Sequence, residues 1–531
     1  MKYSALITFA LLFAISSANA ATFLMSFKEP ARAQEFKTTI QALHLPGLEL
    51  QDDLAEMKVL IVKADSKEQI LRFADSGDLL FIEAQKTFAA PRVQILPTPV
   101  SGLTRMTLMS NEAPVSKGLK MIKAPEAWGM TRGKGARVMV IDSGIDRNHP
   151  VFAGRIEQVR NFTDGDPQDV TDTEAHGTHV AGIIAGKSAG EALGVAPEAT
   201  LLIAKVCGAK GCSSDAVAKA LSWALREDVD VVNMSLGGSG SVVESFMVKQ
   251  LDGKQIPVVA AMGNHGREVT PMPAGYPGVS GVGAVDFESK RAEFSNWSVA
   301  LDLMAPGVGI RSSVPLGTGR VAVASFQNSN GSFQVLPSVT FSGVPVAALN
   351  QSSVFAEYGT VQDLAKVSVA GKILVVKRGN LPLLDKIKNA QTAGAAALII
   401  CNNEGALVSG SLSEDPNEIK IPVIMVEKSS GEALLAELVK APAAIVRLEI
   451  QGADYAEFSG TSMASPYVAG VVALMRSVAP GITSWKTRQI MEGTATPLKT
   501  EIPNQTGKGL VNAKASVDGA YAVRKKYNKR K

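Results

Sequence analysis

The stretch "ARVMVIDSG" (residues 136–144) is a near-continuous apolar run that leads into an aspartate. Such runs are typical of strands that are buried on both faces of a parallel sheet. In "DAVAKALSWALRE" (215–227), the apolar residues fall on one face of a helix. Alternating strands and helices predict an α/β fold with a doubly wound parallel sheet. Further apolar strands are predicted in "TLLIAKV" (200–206), "DVVNMSLGG" (230–238), "QIPVVAAMGN" (255–264) and "VSGVGAVD" (279–286).

Four polar residues interrupt this apolar pattern. Asp142 ends the first strand, and Asn264 ends the strand "QIPVVAAMGN". His176 lies at the start of the small-residue run in "TEAHGTHVAGIIAG" (173–186), and Ser462 lies in a glycine-flanked turn before the apolar helix "MASPYVAGVVALM". Functional side chains in such sheets gather at the carboxyl ends of the strands, so these four are candidates for one site.

Together the four side chains fit nucleophilic catalysis. A serine hydroxyl is a weak nucleophile and needs a general base, a role that suits a histidine with a pKa near 7. A carboxylate behind the histidine fixes its tautomer, and an amide with a backbone N–H can hold a developing oxyanion. Each residue also has a structural interpretation as a turn or helix cap, but the complete set favours catalysis.

Five segments, within about 110–315 and 452–520, resemble the signature segments of subtilisin-like serine proteases (subtilases): "VIDSGID" (140–146), "HGTHVAGIIAG" (176–186), "MSLGG" (234–238), "AAMGN" (260–264) and "SGTSMASPYVAG" (459–470). The resemblance implies a serine endopeptidase with Asp142, His176 and Ser462 as its catalytic triad. It also implies that Asn264 lies in the oxyanion hole. An inactive subtilase acting as a binding protein is a second hypothesis, and the presence of all four residues argues against it.

Substrate binding can be predicted in part from "NMSLGG" (233–238). This strand would offer backbone groups to an extended peptide by strand addition. The glycines leave room for a side chain between two strands, which predicts an open apolar pocket. The predicted substrate-binding residues are Ser235, Leu236, Gly237, Gly238 and Gly263.

The paired histidines of "HGTH" raise a third hypothesis, a metallohydrolase. A helical His-Glu-x-x-His zinc site has histidines four apart with a glutamate between them. His176 and His179 are three apart, with Gly177 and Thr178 between them. We therefore predict no metal at this pair and expect His179 to pack the helix.

Calcium is left open, and no other cofactor is expected. The acidic loop "TDGDPQDVTDTE" (163–174) could bind calcium through several carboxylates. It could equally be a solvated run of charge, which we favour. Subtilases with the strong calcium site carry an aspartate shortly after "HP", where this chain has Val151.

The first 20 residues, "MKYSALITFALLFAISSANA", have the short apolar core and small cleavage residues of a secretory signal. An uncleaved membrane anchor is the alternative, but the core is far shorter than the roughly 20 residues that span a bilayer. We predict a secreted or extracytoplasmic protein with no integral membrane segment.

Residues 22–91 are predicted to run strand, helix, strand, helix, strand, as a small α+β unit. This unit resembles the ferredoxin-like subtilase propeptide that assists folding and then inhibits the enzyme. The resemblance implies an autoprocessed zymogen whose mature chain starts between about 100 and 115. The chain's own propeptide is therefore one predicted partner, and protein or peptide substrates are the others.

An extra α/β unit separates the two catalytic parts. Its segments "VAGKILVVKRG" (369–379) and "AQTAGAAALIICNN" (390–403) resemble a protease-associated (PA) domain. A binding or gating module over the cleft and a purely structural insert are both open. The predicted domains are a signal peptide (1–20), a propeptide (21–105), a catalytic domain (106–319 and 452–520), the insert (320–451) and a basic tail (521–531). The tail is either frayed and solvated or holds the protein on an anionic surface.

Three cysteines are present. Export permits disulfides, and Cys207 and Cys212 flank a short turn that one bridge could staple. Cys401 lies in an apolar strand and is expected to be a buried inert thiol rather than a reactive one. The net charge of +4 over 531 residues gives no reason to expect a nucleic-acid partner.

Overall fold

The computed structural model describes residues 20–88, 96–98, 115–188, 192–208, 210–341, 343–403, 407–409, 418–499, 502 and 504–528. The predicted signal peptide up to residue 19, most of the predicted processing region and the last three residues lie outside the described residues. The described residues form three hydrophobic cores. One lies in the insert and one in the N-terminal unit, and the largest, in the central unit, also includes Leu24, Leu54, Met57, Val59 and Ile61 of the N-terminal unit.

The N-terminal unit has a four-stranded antiparallel sheet with the order β2-β3-β1-β4. This βαββαβ arrangement is ferredoxin-like. Strand β2 was not predicted, because it is an edge strand whose sequence "LELQDDL" is largely polar and half-exposed. The elements are β1 (Ala21–Phe27), α1 (Pro30–Leu43), β2 (Leu48–Leu54), β3 (Val59–Ala64), α2 (Lys67–Leu71), β4 (Leu79–Ala84), β5 (Thr87–Phe88) and β6 (Leu96–Thr98).

The central unit is built on a parallel sheet of seven strands, and its elements up to the insert are α3 (Lys117–Met121), α4 (Ala124–Ala127), β7 (Arg137–Asp142), β8 (Ile156–Asn161), α5 (His176–Ala185), β9 (Lys187–Ser188), β10 (Ala192–Leu193), β11 (Thr200–Lys205), β12 (Cys207–Gly208), β13 (Gly211–Ser213), α6 (Ser214–Glu227), β14 (Val231–Met234), α7 (Val242–Gly253), β15 (Val258–Ala261), β16 (Val279–Val285), β17 (Leu301–Pro306) and β18 (Ile310–Ser313). The strand order is β17-β16-β15-β14-β7-β11-β8, and every pairing is parallel.

The predicted doubly wound parallel sheet is confirmed. The five predicted strands form its contiguous centre, and their side chains are almost all buried. Each fully buried aliphatic side chain contributes about 1.5–3 kcal/mol to stability. Two helix pairs, α5 with the later helix 461–478 and α6 with α7, pack against the sheet. In α6, Val217, Leu221 and Ala224 are buried, as the helical periodicity predicts.

The two strands that the sequence did not predict, β8 and β17, are the edges of this sheet. An edge strand is only partly covered, so its sequence need not be a continuous apolar run. Strand β8, "IEQVRN", alternates between exposed and buried residues, and the apolar run of β17 is broken by Asp302.

The insert forms a separate eight-stranded mixed sheet with the order β20-β19-β27-β22-β23-β24-β26-β21 and its own core. Its elements are β19 (Gly319–Gln327), β20 (Phe333–Leu336), β21 (Ser338–Thr340), β22 (Ala347–Phe355), α8 (Val361–Leu364), β23 (Ile373–Lys377), α9 (Leu383–Thr392), β24 (Ala397–Cys401), β25 (Leu407–Ser409), β26 (Val423–Val426), α10 (Lys428–Lys440) and β27 (Ile445–Ala453).

The chain returns to the central unit through β28, which pairs antiparallel with β18. The remaining elements are β28 (Tyr455–Phe458), α11 (Thr461–Val478), α12 (Ser484–Thr494) and α13 (Ala513–Asn528). Helix α13 includes residues 521–528 of the predicted basic tail. Among the described residues, no helix has both the length and the apolar character that crossing a membrane requires.

Candidate active site

The sheet order brings the predicted site residues to one edge. Strands β15, β14 and β7 are neighbours, so the residues that follow them share the carboxyl edge of the sheet. Asp142 is the last residue of β7, Ser235 follows β14, and Asn264 lies in the turn after β15. Helix α11 packs on β14, β15 and β7 and carries Ser462 as its second residue.

Asp142 and His176 form a buried hydrogen-bonded pair. The distance from His176 Nδ1 to Asp142 Oδ1 is 2.7 Å, and both side chains are at most 1% exposed. The same carboxylate oxygen accepts the backbone N–H of Ser143 at 2.7 Å. Because a carboxylate oxygen only accepts, the proton of a neutral His176 must lie on Nδ1.

This tautomer leaves His176 Nε2 as a proton acceptor, and it has no hydrogen-bond partner among the described residues. Burial by itself lowers the pKa of His176. The negative charge of Asp142 and its hydrogen bond, with smaller contributions from Asp172 and Glu174, outweigh burial and raise that pKa above the usual value for a histidine. The imidazolium form is therefore stabilised relative to a free histidine.

The Ser462 hydroxyl donates to the backbone carbonyl of Ser235 at 3.1 Å, and not to His176. Catalytic hydrogen bonds are often long or misaligned without substrate. The missing Ser462–His176 hydrogen bond is therefore compatible with the two residues acting together. The N–H of Ser462 belongs to the first turn of α11, where no carbonyl one turn earlier is available to accept it.

The amide of Asn264 is oriented by Thr461. Its Oδ1 accepts both the backbone N–H of Thr461, at 2.8 Å, and the Thr461 hydroxyl, at 2.9 Å. The amide Nδ2 therefore points elsewhere, and it has no hydrogen-bond partner within the described part of the chain. This donor and the Ser462 N–H both lie beside the start of α11.

The turn that carries Asn264 depends on a glycine and a buried asparagine. Gly263 has φ +81°, and a Cβ at this position would lie 2.7 Å from Asn296 Nδ2. Asn296 donates to the carbonyl of Met262 at 2.9 Å and accepts the N–H of His265 at 2.9 Å. Asn296 thus fixes this turn, a role that no local sequence signal indicated.

The side chain of Ser235 supports α11 and does not face the cleft. Its hydroxyl lies 2.8 Å from both the Ser462 carbonyl and the Ser465 hydroxyl, and it accepts the Asn233 amide at 2.9 Å. Both Asn233 and Ser235 are fully buried. Sequence analysis assigned Ser235 to the substrate and did not single out Asn233 or Ser465.

The predicted substrate strand is shorter than expected, since β14 ends at Met234. Leu236 is 6% exposed, and the backbone of Gly238 is already paired with Met272 in both directions, at 2.8 and 3.1 Å. A Cβ on Gly238 would lie 2.5 Å from the ring of Phe88, which comes from the N-terminal unit. The glycine therefore leaves space that an apolar side chain fills. A Cβ on Gly237 would meet only the Met272 carbonyl, at 3.4 Å.

His179 packs the helix, as predicted, and also joins α5 to two strands. Its Nε2 lies 2.9 Å from the carbonyl of Ile310 and 3.2 Å from that of Ala456, so Nε2 carries the proton. Its ring stacks on Phe458 at 4.3 Å. Burial is the main cause that lowers its pKa to about 3, so the ring is neutral. This contact holds α5 beside the strand that leads to Ser462.

Cys207 and Cys212 are joined by a disulfide across the β12–β13 hairpin. The Cys401 thiol is buried in the insert, and burial raises its pKa to about 12. A thiol with such a pKa carries almost no reactive thiolate at neutral pH.

The carboxylates of the acidic loop do not converge on one point in this structure. Asp166 and Asp169 each accept a backbone N–H within the loop, and Asp172 points inward to Ser143 and Thr178. In the described residues no three His, Cys, Asp or Glu side chains converge as metal ligands. The solvated-run interpretation is wrong for Asp172, which is 5% exposed.

Comparison with known proteins matches this arrangement to a family. A model described as the subtilase family matches residues 133–341 and 437–510. An intracellular serine protease from Paenibacillus polymyxa is 42% identical over 237 residues, which cover 43% of this chain and 71% of that protein. The chain belongs to the subtilase family.

This subtilase is also similar to subtilisin E from Bacillus subtilis, with 40% identity over 214 residues, 38% of this chain and 55% of that protein. Among solved structures, it is similar to a psychrophilic subtilisin-like protease, Apa1, from Pseudoalteromonas sp. AS-11. The TM-score is 0.54 and the identity 28%, over 76% of this chain and 98% of that one.

A second family model, described as the PA domain, matches residues 339–434 of the insert. The predicted membership in the subtilases with an inserted PA domain is therefore confirmed. The protein is a subtilisin-like serine endopeptidase, and proteins are its substrates.

Proposed function

We propose that this subtilase hydrolyses peptide bonds with Ser462 as nucleophile, His176 as general base, Asp142 as its orienting carboxylate and Asn264 as an oxyanion donor. The observation that carries the proposal is the buried Asp142–His176 hydrogen bond, which leaves Nε2 as the open acceptor. A histidine held in this tautomer can accept the proton of a serine hydroxyl.

In the proposed reaction, Ser462 Oγ attacks the substrate carbonyl carbon as its proton moves to His176 Nε2. The carbonyl oxygen becomes an oxyanion that accepts hydrogen bonds from Asn264 Nδ2 and the Ser462 N–H. The C–N bond then breaks, and the leaving amine takes the proton from His176. Water repeats these steps to release the acid and restore the Ser462 hydroxyl.

We further propose that the N-terminal unit is an inhibitory propeptide removed by the enzyme itself. Its Glu83 carboxylate accepts the N–H groups of Val242 and Val243, at 2.9 and 3.4 Å, and so caps the start of α7. Negative charge is favoured there by the helix dipole. The Ser214 N–H donates to the carbonyl of Lys86 at 2.8 Å, and the Lys86 N–H donates to the Ser214 hydroxyl at 2.9 Å.

The end of this unit is extended and contacts Gly238, one of the predicted substrate-binding residues. Strand β5 adds antiparallel to β13, with Phe88 opposite Cys212, and the Phe88 ring covers Gly238. An extended segment with an apolar side chain over a glycine is the form expected of a bound peptide. This contact supports inhibition by occupation of the cleft. Export is part of the same proposal, because the Cys207–Cys212 disulfide suits an oxidising compartment.

A fluorophosphonate probe tests the proposed chemistry. We expect the probe to label Ser462 in the processed enzyme, with peptide hydrolysis unaffected by EDTA. His176→Ala should lose both labelling and hydrolysis, whereas His265→Ala, whose ring is exposed, should retain both. Hydrolysis that EDTA removes while labelling persists would favour a metal-dependent reaction.

The insert offers a second test, because its ends are adjacent. Gly319 and Ala453 lie directly opposite each other on β19 and β27, so residues 319–453 can be replaced by a two-residue glycine link. None of the proposed catalytic residues lies between them. We expect this variant to cleave small chromogenic peptides at a rate within a few-fold of the full enzyme.

Cleavage of folded proteins by the same variant should change in rate or pattern if the insert is a binding or gating module. The main chain of β25 already pairs with residues 96–98 of the linker after the N-terminal unit, which supports such a role. Peptide mapping of a protein digest is the measurement. An identical digest from both enzymes would instead favour a purely structural insert.

A further inference from the structure

A buried polar cluster lies behind the Asp142–His176 pair. Its centre is Asp172, the one residue of the acidic loop 163–174 whose carboxylate is fully enclosed by hydrogen-bond donors. Lys205, at the end of β11, is 8% exposed and lies opposite Asp142 in the parallel register. Neither residue has a part in the proposed reaction steps, so their burial needs another explanation.

Asp172 accepts four hydrogen bonds. Oδ1 accepts the hydroxyl of Ser143 at 2.8 Å and the N–H of Glu174 at 3.2 Å. Oδ2 accepts the N–H of Thr178 at 2.8 Å and its hydroxyl at 2.6 Å. Each oxygen thus holds one backbone N–H, a donor whose direction cannot be reversed.

These partners connect the two segments that carry the proposed base and its carboxylate. Ser143 directly follows Asp142, and Thr178 lies in the first turn of α5, two residues after His176. Helix α5 has Ala175 at its N-cap, with φ +60° and no side chain that can cap. Asp172 supplies that cap from outside the helix, and the Ser143 hydroxyl accepts the N–H of Gly177 at 2.9 Å.

Lys205, at the end of β11, ties the Ser143 segment to the loop that precedes α5. Its ammonium group donates to the carbonyl of Ser143 at 2.5 Å and to that of Thr171 at 3.0 Å. A buried ammonium is costly unless it is bonded and lies near opposite charge. Among the carboxylates that act on this ammonium group, Asp172, which follows Thr171 in the chain, has the largest effect.

We propose that Asp172 is a positioning residue for His176. It aligns His176 by joining the start of α5 to the Ser143 segment, and Lys205 ties that segment to the loop before α5. The assignment rests on the proposed role of His176 as general base. Asp172 touches neither substrate nor the reacting atoms, and its effect passes through His176.

The charge of Asp172 adds a second effect that can be measured. The charged groups that act on His176 are Asp142 from β7 and Asp172 and Glu174 from the loop before α5, and all three raise its pKa against burial. Lys205 of β11 faces these carboxylates, and His179 on the next turn is neutral. Removing the charge at position 172 therefore lowers the pKa of His176. The acid limb of kcat/KM, which reports the free enzyme, should then move to lower pH.

Asp172→Asn is the direct test, because the amide is nearly isosteric with the carboxylate. Whichever way the amide turns, its NH₂ group must face the N–H of either Glu174 or Thr178, so the start of α5 must shift. We expect kcat on a small chromogenic peptide to fall about 10- to 100-fold, with KM changed less than about twofold. Rates are expressed per active site titrated with fluorophosphonate, which corrects kcat for any loss of folded protein.

Two matched variants separate alignment from charge. Asp169→Asn removes an exposed carboxylate from the same loop, and it should leave both kcat and the acid limb unchanged. Glu174→Gln removes a charge that raises the pKa of His176 without removing a cap. It should therefore move the acid limb in the same direction as Asp172→Asn with kcat nearly intact.

The proposal is overturned if Asp172→Asn has wild-type kcat per titrated site, or if its acid limb stays in place. If that variant yields no folded enzyme, Ser143→Ala is the deciding variant. It removes only the two hydrogen bonds of the Ser143 hydroxyl, one donated to Asp172 and one accepted from the N–H of Gly177. It should lower kcat at constant KM, and an unchanged kcat would reject the alignment role. Failure of the proposed function is distinguishable, because wild-type enzyme would then not be titrated at Ser462.

Discussion

Ser462→Ala is expected to abolish propeptide removal and peptide hydrolysis together. The substitution deletes one hydroxyl whose only described bond is to the Ser235 carbonyl, so the fold should survive. The loss in kcat should be on the order of 10⁶-fold, which is the size of the effect when subtilisin loses its nucleophilic serine. If the N-terminal unit is removed by the enzyme's own active site, the bond after it should stay uncut.

The measurement is N-terminal sequencing of purified Ser462→Ala made in a host that lacks other proteases. We expect a longer proform with its N-terminus near Ala21. Ser477→Ala, on the same helix but remote from the site, is the matched control and should mature normally. Adding a trace of wild-type enzyme shows whether cleavage in trans rescues the variant. A Ser462→Ala protein that begins near residues 100–115 would contradict self-processing.

Asn264→Ala should leave the protein folded and reduce kcat by about 10²- to 10³-fold, which is the size of the effect for the oxyanion asparagine of subtilisin. The physical reason is that Asn264 Nδ2 is held ready by the two bonds that Thr461 donates to Oδ1. A donor fixed in this way stabilises charge that develops only in the transition state, so KM should change little.

Truncating Asn264 removes both the oxyanion donor Nδ2 and the acceptor Oδ1 at the start of α11. A second variant separates the loss of the donor from the loss of this structural contact. Thr461→Val keeps the Asn264 amide but removes the hydroxyl that donates to Asn264 Oδ1 and accepts the N–H of Gly263. We expect a smaller loss in kcat, since the donor is still present. Steady-state kinetics on a chromogenic peptide measure both variants. A loss below about threefold for Asn264→Ala would locate the oxyanion elsewhere.

Local patterns in the sequence were sufficient for the centre of the fold and for selecting the four residues of the proposed reaction. Strands β7, β11, β14, β15 and β16 are apolar because they are covered on both faces, so their runs are visible without any knowledge of neighbours. Asp142 and Asn264 stand out as polar residues where apolar strands end, and His176 and Ser462 as polar residues where apolar helices begin. The glycine-rich segments around them supplied the resemblance to the subtilases.

Only the tertiary structure decided how those residues are held. Asp172 looked like one more charge in an acidic loop, yet it is enclosed by Ser143 and Thr178. Asn296 and His179 likewise act through partners that are distant in sequence. The edge strands β2, β8 and β17 escaped prediction because partial exposure removes the apolar signal. A local sequence pattern reflects whether a side chain is buried. Which residue that side chain contacts depends on how segments distant in the sequence pack together.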